Sequence, residues 1–339
     1  MPLPSSTRPA GGVSGPTAGT TRWHSLDVLK GLALWAMIAH HFQEWTAGEV
    51  DGRFVGFDHF AITDLAPPLF AVGLGAAAVV VGDRIETWRA LGRPTWRWTQ
   101  ILVVGLAIDL ATHNGVIAGR GVLPTLAILG LSITVAVAAG LRRPWAWWLV
   151  AGGGAVLAVP ATGLVGRDPL HLLLNGAFSL PVYAVFAASG AAVAAHGLGR
   201  PEHDLPLVRS AVGVLIVGLV AATLGRGVVA PEGVWPPARY PGHLGFTLWG
   251  VVASLLIWAA ARRLLPPDRP LGDAVARAGR RTLLVFAAHY VVRIALKQAG
   301  LTGELDTWRW GLATWAAVAA VCAATTIPRS VPRPPTIVT

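Results

Sequence analysis

Residues 62–82 read ITDLAPPLFAVGLGAAAVVVG, and beyond Asp64 the run carries no charged side chain through Gly82. A helix needs roughly 20 apolar residues to cross about 30 Å of hydrocarbon, and this stretch supplies them. Similar runs recur at 25–42, 98–112, 121–140, 145–162, 175–197, 205–225, 243–261, 280–297 and 308–327, the third of the full set short and the fifth rich in glycine. The whole chain is 54% hydrophobic and 13% charged, with a mean hydropathy of +0.58. That balance suits a bilayer better than water. The expectation is an all-α polytopic integral membrane protein with about ten transmembrane helices in a lipid bilayer.

The formal net charge of +10 would suggest a nucleic-acid partner in a soluble protein. Here the basic residues follow the loops instead, and no nucleic acid is expected. Eighteen of the 27 Lys and Arg fall on one predicted side, including Arg84, Arg89, Arg93, Arg97, Arg142, Arg143, Arg262, Arg263, Arg277, Arg280 and Arg281. The positive-inside bias then places both termini in the cytoplasm, as an even number of spans requires, and the plasma membrane is the expected location. Residues 1–21, rich in Pro, Gly, Ser and Thr without an apolar h-region, read as a disordered cytoplasmic tail. Residues 22–327 form the transmembrane domain, and 328–339 a second disordered tail. The single cysteine, Cys322, allows neither a disulfide framework nor a cysteine metal cluster, and no metal is expected. The sequence holds no P-loop, no G-x-S-x-G elbow and no convincing internal repeat.

Chemistry must then come from polar residues within the spans, which are costly there and mark pathways or sites. Seven of the ten histidines, His40, His41, His59, His113, His171, His243 and His289, fall on or near the predicted outer side. At 100° per residue, Asp27, Lys30 and His41 return to within about 40° of one helix face. His59, Thr63 and Asp64 precede Pro67 and Pro68, where the prolines are expected to leave backbone carbonyls unpaired beside polar groups. Asp109 and His113 stand four apart, the spacing at which a carboxylate can orient an imidazole. His289 and Arg293 repeat that spacing beside Tyr290, and a buried arginine needs an anionic partner. The glycine run Gly152, Gly153 and Gly154 is expected to allow close helix packing. Tryptophans such as Trp96, Trp98, Trp145, Trp147 and Trp148 fit an interfacial belt.

The stretch Arg22-Trp-His-Ser-Leu-Asp27-Val-Leu-Lys30-Gly31-Leu-Ala33, continuing to His41, resembles the R-x-x-x-(L/V)-D-x-x-R-G-x-A entry motif of transmembrane acyltransferases. These are the bacterial relatives of heparan-α-glucosaminide N-acetyltransferase and, more distantly, the acyltransferase-three O-acyltransferases. Thr63-Asp64-Leu65 through Pro68 and Phe70 is similar to the family's T-x-x-D-L-x-x-P-x-F stretch, and Arg120-Gly121-Val122-Leu123 to its R-x-P-G-V-L. Gly279 through His289 resembles the G-x-x-S/A-L-x-x-Y-x-x-H element near the C-terminus. In the acyltransferase-three pattern the functional histidine corresponds to His41; in the heparan-type pattern it lies in the following loop, where this chain has His59.

The resemblance implies transfer of an acyl group, acetyl by default, from cytoplasmic acyl-CoA to a hydroxyl or amine near the outer face. Acyl-CoA would be a co-substrate, its phosphates held by Arg93, Arg97, Arg142 and Arg280. His41 or His59 would act as general base or carry the acyl group itself. Asp64 and His289 belong to the motif set, Asp109 and His113 would form an orienting pair, and Arg120, Asn114 or Arg293 would stabilise the oxyanion. The acceptor, whether small molecule, glycan or lipid, is left open, as is the oligomeric state, a homo-oligomer included. The rival reading is a multi-pass transporter or lipid carrier without covalent chemistry, against which stands the gathering of histidines at one end instead of the midplane.

Overall fold

The computed structural model describes residues 23–46, 65–112, 121–161, 179–197, 205–224 and 244–298. Among them every regular element is helical: α1 (His24–Thr46), α2 (Ala66–Asp83), α3 (Gly92–Thr112), α4 (Val122–Ala138), α5 (Pro144–Ala161), α6 (Leu180–Gly197), α7 (Leu205–Leu224), α8 (Leu244–Leu264), α9 (Pro270–Arg280) and α10 (Thr282–Gln298). A short 3-10 turn, Trp88–Leu91, leads into α3. Nine of the helices coincide with expected spans. The remaining expected span, 308–327, and both tails lie outside the described residues. Three segments, Ala66–Asp83, Leu180–Gly197 and Phe246–Leu264, are long and apolar enough to cross a membrane.

Three local readings change. Pro67 and Pro68 sit in the first turn of α2, where a proline's missing N–H is no loss and its fixed φ suits a helix start. They begin the helix and do not free interior carbonyls. Pro94, Pro124, Pro144, Pro181, Pro206 and Pro270 occupy the same early positions in their helices. In α3 this moves the start back to Gly92, so Arg93 and Arg97 belong to the helix's first two turns and not to a loop. Finally, α9 occupies a stretch expected to be a loop. It is eleven residues long and buries only Gly272, Ala276, Ala278 and Gly279.

The centre of the bundle is the crossing of α2 and α6. A Cβ at Gly75 would overlap the Ala187 carbonyl, and one at Gly190 would overlap the Val72 carbonyl. Each helix thus offers a bare backbone to the other's carbonyl, the close approach small residues permit between apolar helices. Phe186, fully buried, packs edge-on to Tyr183 at 5.8 Å and to Phe246 of α8 at 6.4 Å. Of the expected glycine run, only Gly154 packs, 2.9 Å from its would-be Cβ to the Pro181 carbonyl oxygen; Gly152 and Gly153 face open space. An alanine at Gly152 should therefore hold or raise thermal stability by up to about 1 kcal/mol through helix propensity, read as the unfolding midpoint in detergent. A fall of that size would mean a packed surface covers this face.

The outer faces are apolar. Val103 and Leu110 of α3, Leu149, Val156 and Leu157 of α5, and Ile216 and Val217 of α7 are all exposed. In water such surfaces would drive association; against hydrocarbon they are solvent contacts.

Contacts between helix ends set the polarity of the bundle. His24 Nε2 at the start of α1 lies 3.2 Å from the Leu265 carbonyl oxygen past the end of α8. The Trp23 ring lies over Gly197 at the end of α6. Arg142, in the turn after α4, pairs at 3.3 Å with Asp83 at the end of α2. Gly140 shapes that turn with φ of 103°, its N–H bonding to the Val137 carbonyl while Leu141 N–H reaches Ala136, which closes the helix in the manner of a Schellman cap. These contacts gather the start of α1 and the ends of α2, α4, α6 and α8 at one end of the bundle, and with them the arginines of the intervening turns.

Candidate functional site

The entry motif of α1 meets the C-terminal motif directly. Asp27, its side chain 3% exposed, pairs with Lys30 at 2.9 Å along one face of α1. A Cβ at Gly279 would overlap the Asp27 carbonyl oxygen and fall 2.8 Å from the Gly31 nitrogen, while one at Gly31 would overlap the Val275 carbonyl. Gly31 and Gly279 are therefore the contact surfaces of α1 and α9, and any side chain at either would force the helices apart. Val28, Ala261 and Ala276 complete a small apolar knot among α1, α8 and α9. On its other face α9 is polar, with Asp273 paired to Arg277 and reaching Arg280 at 3.4 Å. Thr282 donates its hydroxyl to the Gly279 carbonyl at 2.6 Å, fixing the bend into α10.

From that bend α10 carries His289, which is 1% exposed. Its ring packs edge-on to Phe286 at 5.1 Å and lies 4.4 Å from Tyr290. The sequence placed His289 toward the outer side, but it is the eighth of the seventeen residues of α10 and so lies half-way along. Its surroundings are those of a core imidazole held among aromatic rings.

Asp109, 3% exposed, sits at the other end of the bundle. Its carboxylate oxygens crowd the Cα of Gly121, the residue that precedes α4 with extended backbone and no side-chain cap. The first N–H groups of a helix have no internal partner and favour a negative neighbour. A buried carboxylate beside Gly121 meets that need. The α3–α4 pairing that brings it there is antiparallel: at the opposite end Trp98 Nε1 donates to Thr134 Oγ1 at 3.1 Å. Removing this bond with Trp98→Phe leaves a buried hydroxyl still bonded to Gly130 and should cost about 1 kcal/mol; an unchanged melting point would show the bond to be dispensable.

His41 falls within the helical backbone of α1, fourteen residues and a rise of about 21 Å beyond Asp27, and so toward the end away from the arginines. Its side chain, with those of His40 and Arg293, lies outside what the structure describes, as do His59, Asp64, His113, Asn114 and Arg120. The expected Asp109–His113 pair thus falls partly outside the described residues. Of the four phosphate candidates, Arg93 and Arg97 are exposed one turn apart on α3. Arg142 and Arg280 are engaged by Asp83 and Asp273. All four belong to the arginine-rich end: Arg93 and Arg97 on α3, Arg142 in the turn after α4 and Arg280 at the end of α9.

Two features escaped the sequence reading. One is α9, whose small residues at 272, 276 and 279 recur at helical spacing and could have revealed it. The other is a buried polar stripe on α8, Thr247, Ser254 and Trp258, each at most 1% exposed.

A bundle with spanning helices, apolar outer faces and paired charges inside is a membrane protein. Residues 22–185 match the family described as heparan-alpha-glucosaminide N-acetyltransferase, catalytic. No curated protein matches the chain. The matched region runs from the entry motif of α1 into α6; Gly279 and His289 lie beyond it and reach it only through the fold.

Proposed function

We propose that the protein is a membrane-embedded acyltransferase, set in the plasma membrane with about ten spans and both termini cytoplasmic. It moves an acyl group, acetyl by default, from cytoplasmic acyl-CoA to a hydroxyl or amine acceptor at the outer face. The observation that carries this reading is the meeting of Asp27 and Gly31 with Gly279, beside the Asp27–Lys30 pair. Two short motifs far apart in the chain share one packed junction, and the matched acetyltransferase family contributes the first of them.

In this reading the arginine-rich end faces the cytoplasm and receives the nucleotide. Arg93 and Arg97, being exposed, make first contact with its phosphates, joined by Arg142 and Arg280 once their carboxylate partners yield. At the far end of α1, His41, or His59 in the loop after it, takes the proton from the acceptor. The acceptor oxygen or nitrogen attacks the thioester carbonyl, and Arg120, Asn114 or Arg293 stabilises the oxyanion. The C–S bond then breaks, and the leaving thiolate takes the proton from the imidazolium. In this reading Asp64 and His113 act with that histidine, and Asp109 steadies this end of the bundle through the start of α4.

The test is CoA release by purified, detergent-solubilised protein given acetyl-CoA and a panel of sugar and amine acceptors. Acceptor-dependent release is the expected result. No release and no binding of CoA would overturn the reading and favour a transporter.

A further inference from the structure

We propose that Ser254 and Trp258 of α8 hold the amide-bearing pantetheine arm of the acyl donor. The proposal rests on the acyltransferase reading above but concerns residues outside the matched family stretch. Ser254 is 0% and Trp258 1% exposed, and among the described residues neither Ser254 Oγ nor Trp258 Nε1 has a hydrogen-bond partner. Leaving a buried hydroxyl or indole N–H unanswered costs about 1–3 kcal/mol apiece. A buried serine in a helix has an easy remedy, a bond back to the carbonyl four residues earlier. Ser189 takes it, donating to Val185 at 2.8 Å, and Thr134 does the same to Gly130 at 2.7 Å. Ser254 does not.

Gly250, Ser254 and Trp258 follow one another at four-residue spacing and so form one stripe along α8. A Cβ at Gly250 would fall 2.8 Å from Phe186 Cε1 and 2.9 Å from Pro68 Cγ. The stripe therefore faces α6 and α2, toward the bundle interior and away from lipid. One turn past Trp258, in the last turn of α8, stand Arg262 and Arg263 at the arginine-rich end. Counting inward from Arg262, Trp258 lies about 6 Å and Ser254 about 12 Å along the axis.

That order matches one chemistry. A pantetheine arm enters behind its phosphates and carries two amides separated by two methylenes, a reach comparable to one helical turn. Trp258 can only donate, and so suits an amide carbonyl; Ser254 can donate or accept, and so suits either face of the second amide. The hydrogen bonds that these two groups lack are the ones such an arm supplies.

The test compares wild type with Trp258→Phe and Ser254→Ala, which remove one polar group each with little change in shape. Binding of three probes is measured: CoA, S-acetylpantetheine, and adenosine 3′,5′-bisphosphate, which has phosphates but no arm. Each substitution should weaken CoA and S-acetylpantetheine roughly tenfold, the loss of one bond to a buried donor, and leave the bisphosphate unchanged. The melting point without ligand should stay the same or rise. Unchanged affinity of the variants for CoA and S-acetylpantetheine would overturn the proposal and assign the pair to a structural water. Equal losses for all three probes would also overturn it, as a general disturbance of the fold. A wild type that binds none of the probes would instead bring down the acyltransferase reading itself.

Discussion

Gly279→Ala should abolish activity and leave little folded protein after solubilisation, although it adds a single methyl group. The added carbon would overlap the Asp27 carbonyl oxygen and lie 2.8 Å from the Gly31 nitrogen, so both obstacles are backbone. Flexible side chains can rotate away from a new methyl; helix backbones must move as bodies. Overpacking in a tight core costs about 1–3 kcal/mol and more when nothing can yield, and this contact belongs to the upper end. Gly31→Ala should do the same from the opposite helix, against the Val275 carbonyl. Because both substitutions open the same interface, the double variant should be little worse than either single one. Size-exclusion profiles and unfolding midpoints of the three variants decide the matter. A Gly279→Ala protein with wild-type midpoint and turnover would show that α9 does not pack on α1 as described.

His41→Ala should lower turnover by about 10²- to 10⁴-fold, the usual worth of positioned proton transfer, without loss of fold. His289→Ala should behave in the opposite way. Its ring fills a site among Phe286 and Tyr290 that is closed to solvent, and truncating a buried ring of this kind costs about 3 kcal/mol. The melting point should therefore fall first and activity follow in proportion to folded protein. Rates normalised to folded protein, measured for His41→Ala, His59→Ala and His289→Ala together, separate the base from the packing residue. Wild-type turnover in His41→Ala with a loss in His59→Ala would move the proton transfer to the loop histidine.

Apolar run length located nine of the described helices because each must satisfy its own backbone in hydrocarbon, whereas Pro67 and Pro68, read as freeing carbonyls, in fact begin a helix. Contacts across the chain were not legible in the same way. Asp27 and Gly279 carry no sign of one another in spacing or composition, and only packing reveals that each motif glycine exists for the other helix. The helix α9 was hidden by its shortness and by Pro266, Pro267, Asp268 and Arg269 just before it, which read as a loop. The partners of two phosphate candidates were not legible either: Arg142 has Asp83 and Arg280 has Asp273 as a carboxylate neighbour. Glycine counting misled at Gly152 and Gly153, since glycines of the same composition pack at Gly75 and Gly190 and face open space in α5.

The junction of α1 with α9 also sets a timetable for biogenesis. Roughly 250 residues separate Gly31 from Gly279, and a ribosome adding about 5–20 residues per second takes on the order of 12–50 s to make them. Throughout that interval the first helix waits in the translocon or the bilayer without its eventual cover. A lone aspartate there would resist insertion. The Lys30 ammonium, 2.9 Å from Asp27 on the same helix, travels with it and neutralises it from the first moment, so the nascent helix carries its own counter-ion until its partner is synthesised.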